Sequence, residues 1–225
     1  MAQFIDRGNV PVAARVTGNR DLITSPSVLR WVAEGKVFQA GQGCESTAVD
    51  CGVNSATIDE TLPTFSLQAP PVGVFVVPLE LKIMMTDDGD TLSNWQICFT
   101  KAATLCATTM KISGTAMHHV SNLNATFNNG AASVALYTPT VSALTVADYI
   151  SIGKGHSVVD GTTTGKPNLG DGASNVKTYC FLGKEGLPHI MANGSAMLVY
   201  LYTATAVSKW TTYIQWAELT ANDLY

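Results

Sequence analysis

The chain has 225 residues, 46% of them hydrophobic and 13% charged, with thirteen Lys and Arg against seventeen Asp and Glu for a net charge of −4. That length can bury a sizeable core, and all-β sandwiches of about 200 to 250 residues commonly form one domain. The basic residues are scattered, which argues against nucleic-acid binding by phosphate neutralisation. A charged share of about half the usual ~25% suits a surface given to other subunits.

Residues 1–20 show no apolar core behind a basic start, so no secretory signal is read. The nearest candidate for a membrane span is interrupted by Pro188, Asn193 and Gly194. The expectation is a soluble chain made in a cytosol, with neither membrane nor nucleic acid as partner.

In chain order, the leading residues are polar and aperiodic, which fits an extended arm or a strand added late, and residues 1–25 read as an N-terminal arm, followed by one domain over 26–225. In the leading segment Arg7, Arg15, Arg20 and Arg30 outweigh Asp6, Asp21 and Glu34. Arg7, Arg15 and Arg20 are therefore candidate contacts to an acidic partner protein, against the plainer reading of a solvated arm. Ser25-Pro26-Ser27 offers a helix start, with Ser25 as cap and Pro26 at the first helical position. Val28 to Glu34 then reads either as a short helix ended by Gly35 or as one side of a hairpin through Glu34-Gly35.

Short β-like runs follow, punctuated by Gly, Pro, Asn and Asp about every ten residues, the rhythm of a sandwich or barrel. Predicted strands are Lys36 to Ala40, Thr64 to Gln68, Val72 to Met85, Asn94 to Lys101 and Thr108 to Ser113. Ala132 to Tyr137, Tyr149 to Ile152 and Val176 to Phe181 come next. Pro78 cannot donate to a ladder, so it marks an edge or a bulge at which the long run bends between sheets. The six glycines between Gly153 and Gly172 read as a long exposed loop. Asn128-Asn129-Gly130 and Asn193-Gly194 are tighter turns. At the end, Met197, Val199 and Leu201 alternate with Leu198, Tyr200 and Tyr202, so that strand expects cover on both faces. The last strand alternates Trp210, Thr212, Ile214 and Trp216 against Thr211, Tyr213, Gln215 and Ala217.

Chemistry-bearing patterns are weak. Asp87, Asp88 and Asp90 around Gly89 resemble part of a calcium loop, but the twelfth position is Cys98 rather than Glu, so an acidic turn is the better reading. His118 and His119 are adjacent, and on a strand they point to opposite faces, away from a shared metal. His156 and His189 carry no ligand spacing. Asn193-Gly194-Ser195 is not a nucleophile elbow. Gly41-Gln42-Gly43, Gly153-Lys154-Gly155 and Gly170-Asp171-Gly172 open no helix that would cradle phosphate. Five cysteines form no Cys-x-x-Cys pair. Cys44 and Cys51 bracket a loop that a disulfide could close, although a cytosolic origin favours free thiols, and Cys98 and Cys180 sit in apolar strand contexts. Asn124-Ala-Thr126 and Asn193-Gly-Ser195 match the glycosylation sequon, by chance when no signal precedes them. Trp95, Trp210, Tyr213 and Trp216 suit either sugar stacking or packing, and Trp210, Tyr213 and Trp216 on their alternating strand are expected as packing or interface anchors. No catalytic group, metal or cofactor is expected, and enzyme is the least supported class.

Three segments carry a resemblance. Ala69-Pro-Pro-Val-Gly-Val-Phe-Val-Val-Pro-Leu-Glu-Leu-Lys82 resembles the Pro-then-strand opening of viral coat accessories, and Leu144-Thr-Val-Ala-Asp-Tyr-Ile-Ser-Ile152 is similar to a segment leading into a late strand of jelly-roll trimers. Ala196-Met-Leu-Val-Tyr-Leu201 with Tyr213-Ile-Gln-Trp-Ala-Glu-Leu219 resembles the closing strand pair of such virion proteins. The chain is thus similar to jelly-roll proteins of virions and to the trimeric tumour-necrosis-factor and complement globular-head group, from about Lys36 to Leu219. The resemblance implies an all-β jelly-roll sandwich with an extended N-terminal arm. In function it implies a tailed-phage decoration (cement) protein in the virion, trimeric and bound to the major capsid protein. A lectin-like head-fibre or receptor-binding module and a jelly-roll major coat protein are the rival expectations.

Overall fold

The computed structural model describes residues 3–5, 11–13, 27–42, 49–50, 53–54, 57–58, 63–70, 72–87, 93–100, 117–126, 135–137, 149–157, 176–181, 189–203 and 208–224. Numbered along the chain, one six-stranded sheet, called sheet I, runs β12 (Val176–Cys180), β7 (Phe75–Asp87), β14 (Lys209–Leu219), β3 (Val37–Gln42) and β9 (Met117–Asn122). The short β4 (Val49–Asp50) also pairs with β14. Sheet II runs β10 (Ala135–Tyr137), β6 (Phe65–Gln68), β13 (Ala196–Thr203), β8 (Ser93–Thr100) and β11 (Tyr149–Ser157), with the short β5 (Val53–Asn54) beside β13. Apart from the parallel β5–β13 contact, both sheets are antiparallel. The result is an all-β sandwich with little helix. In the leading segment β1 (Gln3–Ile5) and β2 (Pro11–Ala13) pair with each other, while Arg7, Arg15 and Arg20 lie outside the described residues.

The two sheets share one core because alternate residues of each point at the other. Phe38, Leu81, Ile83, Trp210, Ile214 and Trp216 from sheet I meet Phe65, Leu67, Trp95, Ile97, Met197, Val199 and Leu201 from sheet II. Trp210 and Trp216 are fully buried there. Each indole also finds an acceptor on its own strand end: Trp210 Nε1 donates to Ser208 Oγ at 2.5 Å, and Trp216 Nε1 donates to Glu218 Oε1 at 3.0 Å. Phe38 stacks on Trp216 with centroids 6.0 Å apart.

The pairing is nested. β3 pairs with β14, β6 with β13, β7 with β12, and β8 with β11. The path is that of one long antiparallel ribbon rolled over so that β7 also lies against β14 and β8 against β13. The ribbon passes between sheets at a crossover of two segments. The Gly194 N–H donates to the Pro70 carbonyl at 3.2 Å, Ala69 N–H donates to Ser195 O at 2.9 Å, and Val76 and Met191 exchange both backbone bonds at 2.8 Å.

Several local expectations change. Pro78 does mark a bulge, since Gln215 faces Glu80 while Trp216 faces Pro78, but β7 stays within sheet I. The turn from sheet to sheet falls earlier, before Phe75, at Gly73 with φ of 86°. A helix, α1 (Ser27–Ala33), forms instead of a hairpin, and Gly35 ends it with φ of 71°, a left-handed position that suits glycine. The expected loop from Gly153 starts later, because β11 carries the chain to Ser157, and residues 158–175 lie outside the described set. Thr108 to Ser113, Cys44, Cys51 and Cys106 also lie outside it. β9, with His118 and His119, was not predicted as a strand.

Glycine in β11 has a packing reason. Trp95 lies across Gly155, its cross-strand partner, and a Cβ on Gly155 would sit 2.5 Å from the indole Cζ2. Trp95 is buried and has nowhere to withdraw. Gly155→Ala should therefore destabilise the fold by about 1–3 kcal/mol through overpacking, read as a lower urea midpoint; an unchanged midpoint contradicts the packing. Trp216→Ala, which empties a fully buried site, should cost about 3–5 kcal/mol by the same measurement.

Candidate functional site

The outward faces of the two sheets differ. On sheet II, Ala196, Leu198, Tyr200 and Cys98 are all nearly inaccessible, with Ile58, Tyr149 and Tyr202 packed against them. β13 is thus buried on both sides, as its doubly apolar alternation requires. Burial there pushes the Tyr202 hydroxyl above its ordinary range. The Cys98 side chain is buried, and its Sγ accepts from Gln96 Nε2 at 3.3 Å.

On sheet I the cover is partial. Helix α1 lays Trp31, with Val28 and Val32, on Val37, Val77, Leu79, Ala217 and Leu219, so the end of β14 is apolar on its outward side too. Two asparagines tie this end down: Asn122 Nδ2 donates to Gly35 O at 2.6 Å and Asn124 Nδ2 donates to Ala33 O at 3.1 Å. Asn124 Oδ1 accepts from the Thr126 backbone and hydroxyl, so the amide of that sequon is occupied in holding the helix end. Lys36 joins the C-terminal turn α2 (Ala221–Leu224) to the same corner, with Nζ 2.5 Å from Asp223 Oδ1 and 2.7 Å from Glu34 Oε2. Asp223 also accepts from the Thr220 N–H and hydroxyl, each at 2.8 Å, in the manner of a capping box.

Farther along the same outward face the residues become polar. Cross-strand pairing sets Gln39, Gln215 and Glu80 in one row, and Gly41, Tyr213, Lys82 and Thr178 in the next. Tyr213 is the hub. Its hydroxyl donates to Gln39 Oε1 and accepts from Gln215 Nε2 at 3.0 Å. Lys82 Nζ stands 5.8 Å from the Tyr213 ring centroid, a cation–π arrangement, and 3.2 Å from Glu80 Oε1. The charges cancel, and what remains is a field of amide, hydroxyl and aromatic groups beside the buried Gly41, with Gln39, Glu80, Tyr213 and Gln215 half-buried and Lys82 exposed. Such a field suits hydrogen-bonded contact with another protein better than capture of an ion.

The expected anchors thus separate. Trp210 and Trp216 face the core, whereas Tyr213 faces outward from the same strand. All four tryptophans of the chain, Trp31, Trp95, Trp210 and Trp216, are buried. Sequence alternation placed Tyr213 and Gln215 on one face, but Gln39, Glu80 and Lys82 were not singled out, because their neighbourhood depends on long-range register. Elsewhere, His189 stacks on Phe99 with centroids 4.5 Å apart, and Phe181 meets the same ring edge-on at 6.0 Å. Among the described residues no group of three His, Cys, Asp or Glu is arranged to hold a metal, and no helix is long and apolar enough to cross a membrane.

No protein-family model matches this sequence, and no curated protein matches it.

The Lys36–Asp223 clip carries a pH signature. Hydrogen bonds, first from Lys36 and then from Thr220, lower the Asp223 pKa from 3.8 to about 2, and the Lys36 ammonium is raised above its ordinary value chiefly by Asp223. A depressed folded-state pKa stabilises the fold above the unfolded value and ceases to do so as pH falls through the folded one. The stability gap between the unmodified chain and Asp223→Asn should hold constant at neutral pH and close as pH falls from 3.8 towards about 2. A gap independent of pH over that range contradicts the clip.

Proposed function

We propose that the chain is a structural protein of a virion. In this reading it is a decoration (cement) protein, a jelly-roll sandwich with an N-terminal arm, acting as a homotrimer on the major capsid protein. The observation that carries the reading is the nested pairing of β3 with β14, β6 with β13, β7 with β12 and β8 with β11. Such nesting supports a jelly roll, an architecture that recurs in viral capsid and lectin domains. Fold alone assigns no role, so the choice between those two rests on surfaces. Every tryptophan lies in packing positions, so none of the four serves as a ring platform for a sugar. The polar part of sheet I offers instead the charge-balanced amide field around Tyr213.

A cement protein holds a shell through several modest contacts acting together at high effective concentration. Low charge and a polar face suit such contacts. The antiparallel β1–β2 pair folds residues 3–13 back on themselves, so the arm reaches less far than the tens of ångströms that 25 extended residues would span at about 3.3 Å each, and in this reading it meets a neighbouring capsid subunit through Arg7, Arg15 and Arg20.

The test is co-sedimentation of the purified full chain with capsid shells that lack it, followed by thermal melting of those shells. The reading predicts binding and a raised melting temperature. A chain that never sediments with the shells overturns it, and closed shells formed by the chain alone would assign it instead as the main coat. Deleting residues 1–24 should weaken shell binding; undiminished binding removes the arm's role.

A further inference from the structure

The turn that leads into β13 holds an Asn-Gly pair with unusual surroundings. Asn193 is exposed and has φ of 53°, the left-handed region, and Gly194 follows with φ of 79°. The Ser195 N–H donates to Ala192 O at 3.0 Å. Two successive positive φ values under such a bond define a type I′ turn. Gly194 is gripped on both sides: its N–H donates to Pro70 O at 3.2 Å, and its carbonyl accepts from the buried Gln68 Nε2 at 3.0 Å. Ser195 Oγ fastens the turn further, accepting from Ala192 N at 2.9 Å and donating to Ala192 O at 2.8 Å.

We propose that Asn193 is a latent deamidation site, competent in its sequence and held off by this turn until the crossover opens. In the reaction the Gly194 backbone nitrogen, after losing its proton to solvent base, attacks the Asn193 side-chain carbonyl carbon. A carbon–nitrogen bond forms, the bond to the side-chain nitrogen breaks, and ammonia leaves. Water then opens the cyclic imide at either carbonyl, giving aspartate or isoaspartate, with no oxidant or reductant involved. Glycine is the least hindered residue to follow the asparagine, which makes the dipeptide reactive in an open chain.

The folded turn opposes each requirement. The attacking nitrogen has its N–H committed to Pro70, and closing a five-membered ring needs the Asn193 ψ bond rotated away from the small positive value of a type I′ turn. Conversion therefore waits on local opening, whose free energy sets the rate of any reaction confined to the open form. Once made, the product is not neutral to the fold. It adds a carboxylate, and in the iso form one extra backbone carbon, between the two segments that carry the ribbon from sheet I to sheet II.

Peptide mapping by mass spectrometry, after incubation in mildly alkaline buffer with and without urea, tests this. Asn129-Gly130 in the same chain serves as the sequence-matched reference in urea. In urea the two asparagines should convert at similar rates, and Asn193 should convert more than about tenfold more slowly in the folded chain. Ser195→Ala, checked for an unchanged circular-dichroism spectrum, should speed conversion of Asn193 in the folded chain. Equal native and urea rates overturn the protection, an Asn193 inert in urea while Asn129 converts overturns the site, and a Ser195→Ala rate equal to that of the unmodified chain overturns the clamp.

Discussion

The strand on which the rest depends is β14. It is inserted between β3 and β7, so sheet I exists as one sheet only when the end of the chain returns to its beginning. Its inward side supplies Trp210, Ile214 and Trp216 to the shared core, and its outward side supplies Ala217 and Leu219 to the seat of α1 and Tyr213 to the polar field. Remove it and β3 and β7 become unpaired edges above an exposed core. Such non-local pairing is slow to form, because the intervening loop must be closed before any contact rewards it. The tryptophans compensate through the large apolar area each buries.

The nested ribbon also explains why the crossover is so firmly bonded. Two segments pass together from sheet I to sheet II, and the described residues at the crossing lie outside the regular ladders. Backbone groups there would be buried without partners. The pairs Pro70–Gly194, Ala69–Ser195 and Val76–Met191 supply those partners, and Gln68 adds a side-chain bond. Gly73 and the Asn193-Gly194 turn provide the left-handed backbone that the reversal needs.

Much of this was legible in the sequence, because period-two alternation is strong wherever one face is buried. β6, β7, β8, β12, β13 and β14 were found close to their observed limits, and the burial of β13 on both sides follows from its unbroken run of apolar residues. β9 was missed, since Met-His-His-Val-Ser-Asn carries no clean alternation and is a strand because β3 offers it an edge. The glycines of β11 read as loop because their reason, the indole of Trp95 lying across Gly155, is a cross-strand fact. The polar field was half visible: Tyr213 and Gln215 lie on one strand, but Gln39, Glu80 and Lys82 join them through register, which no local pattern encodes.

For function, the physical division of surfaces is the informative feature. The apolar outward faces are covered, by α1 on part of sheet I and by packing around Ile58 on sheet II. The remaining field around Tyr213 is polar and charge-balanced, and the proposed shell contacts would use it. The proposed shell role as a trimer is tested most directly by the mass of the full chain in solution, from sedimentation equilibrium across a range of concentrations. A decoration trimer sediments as a particle of three chains; a monomer at every concentration rules it out.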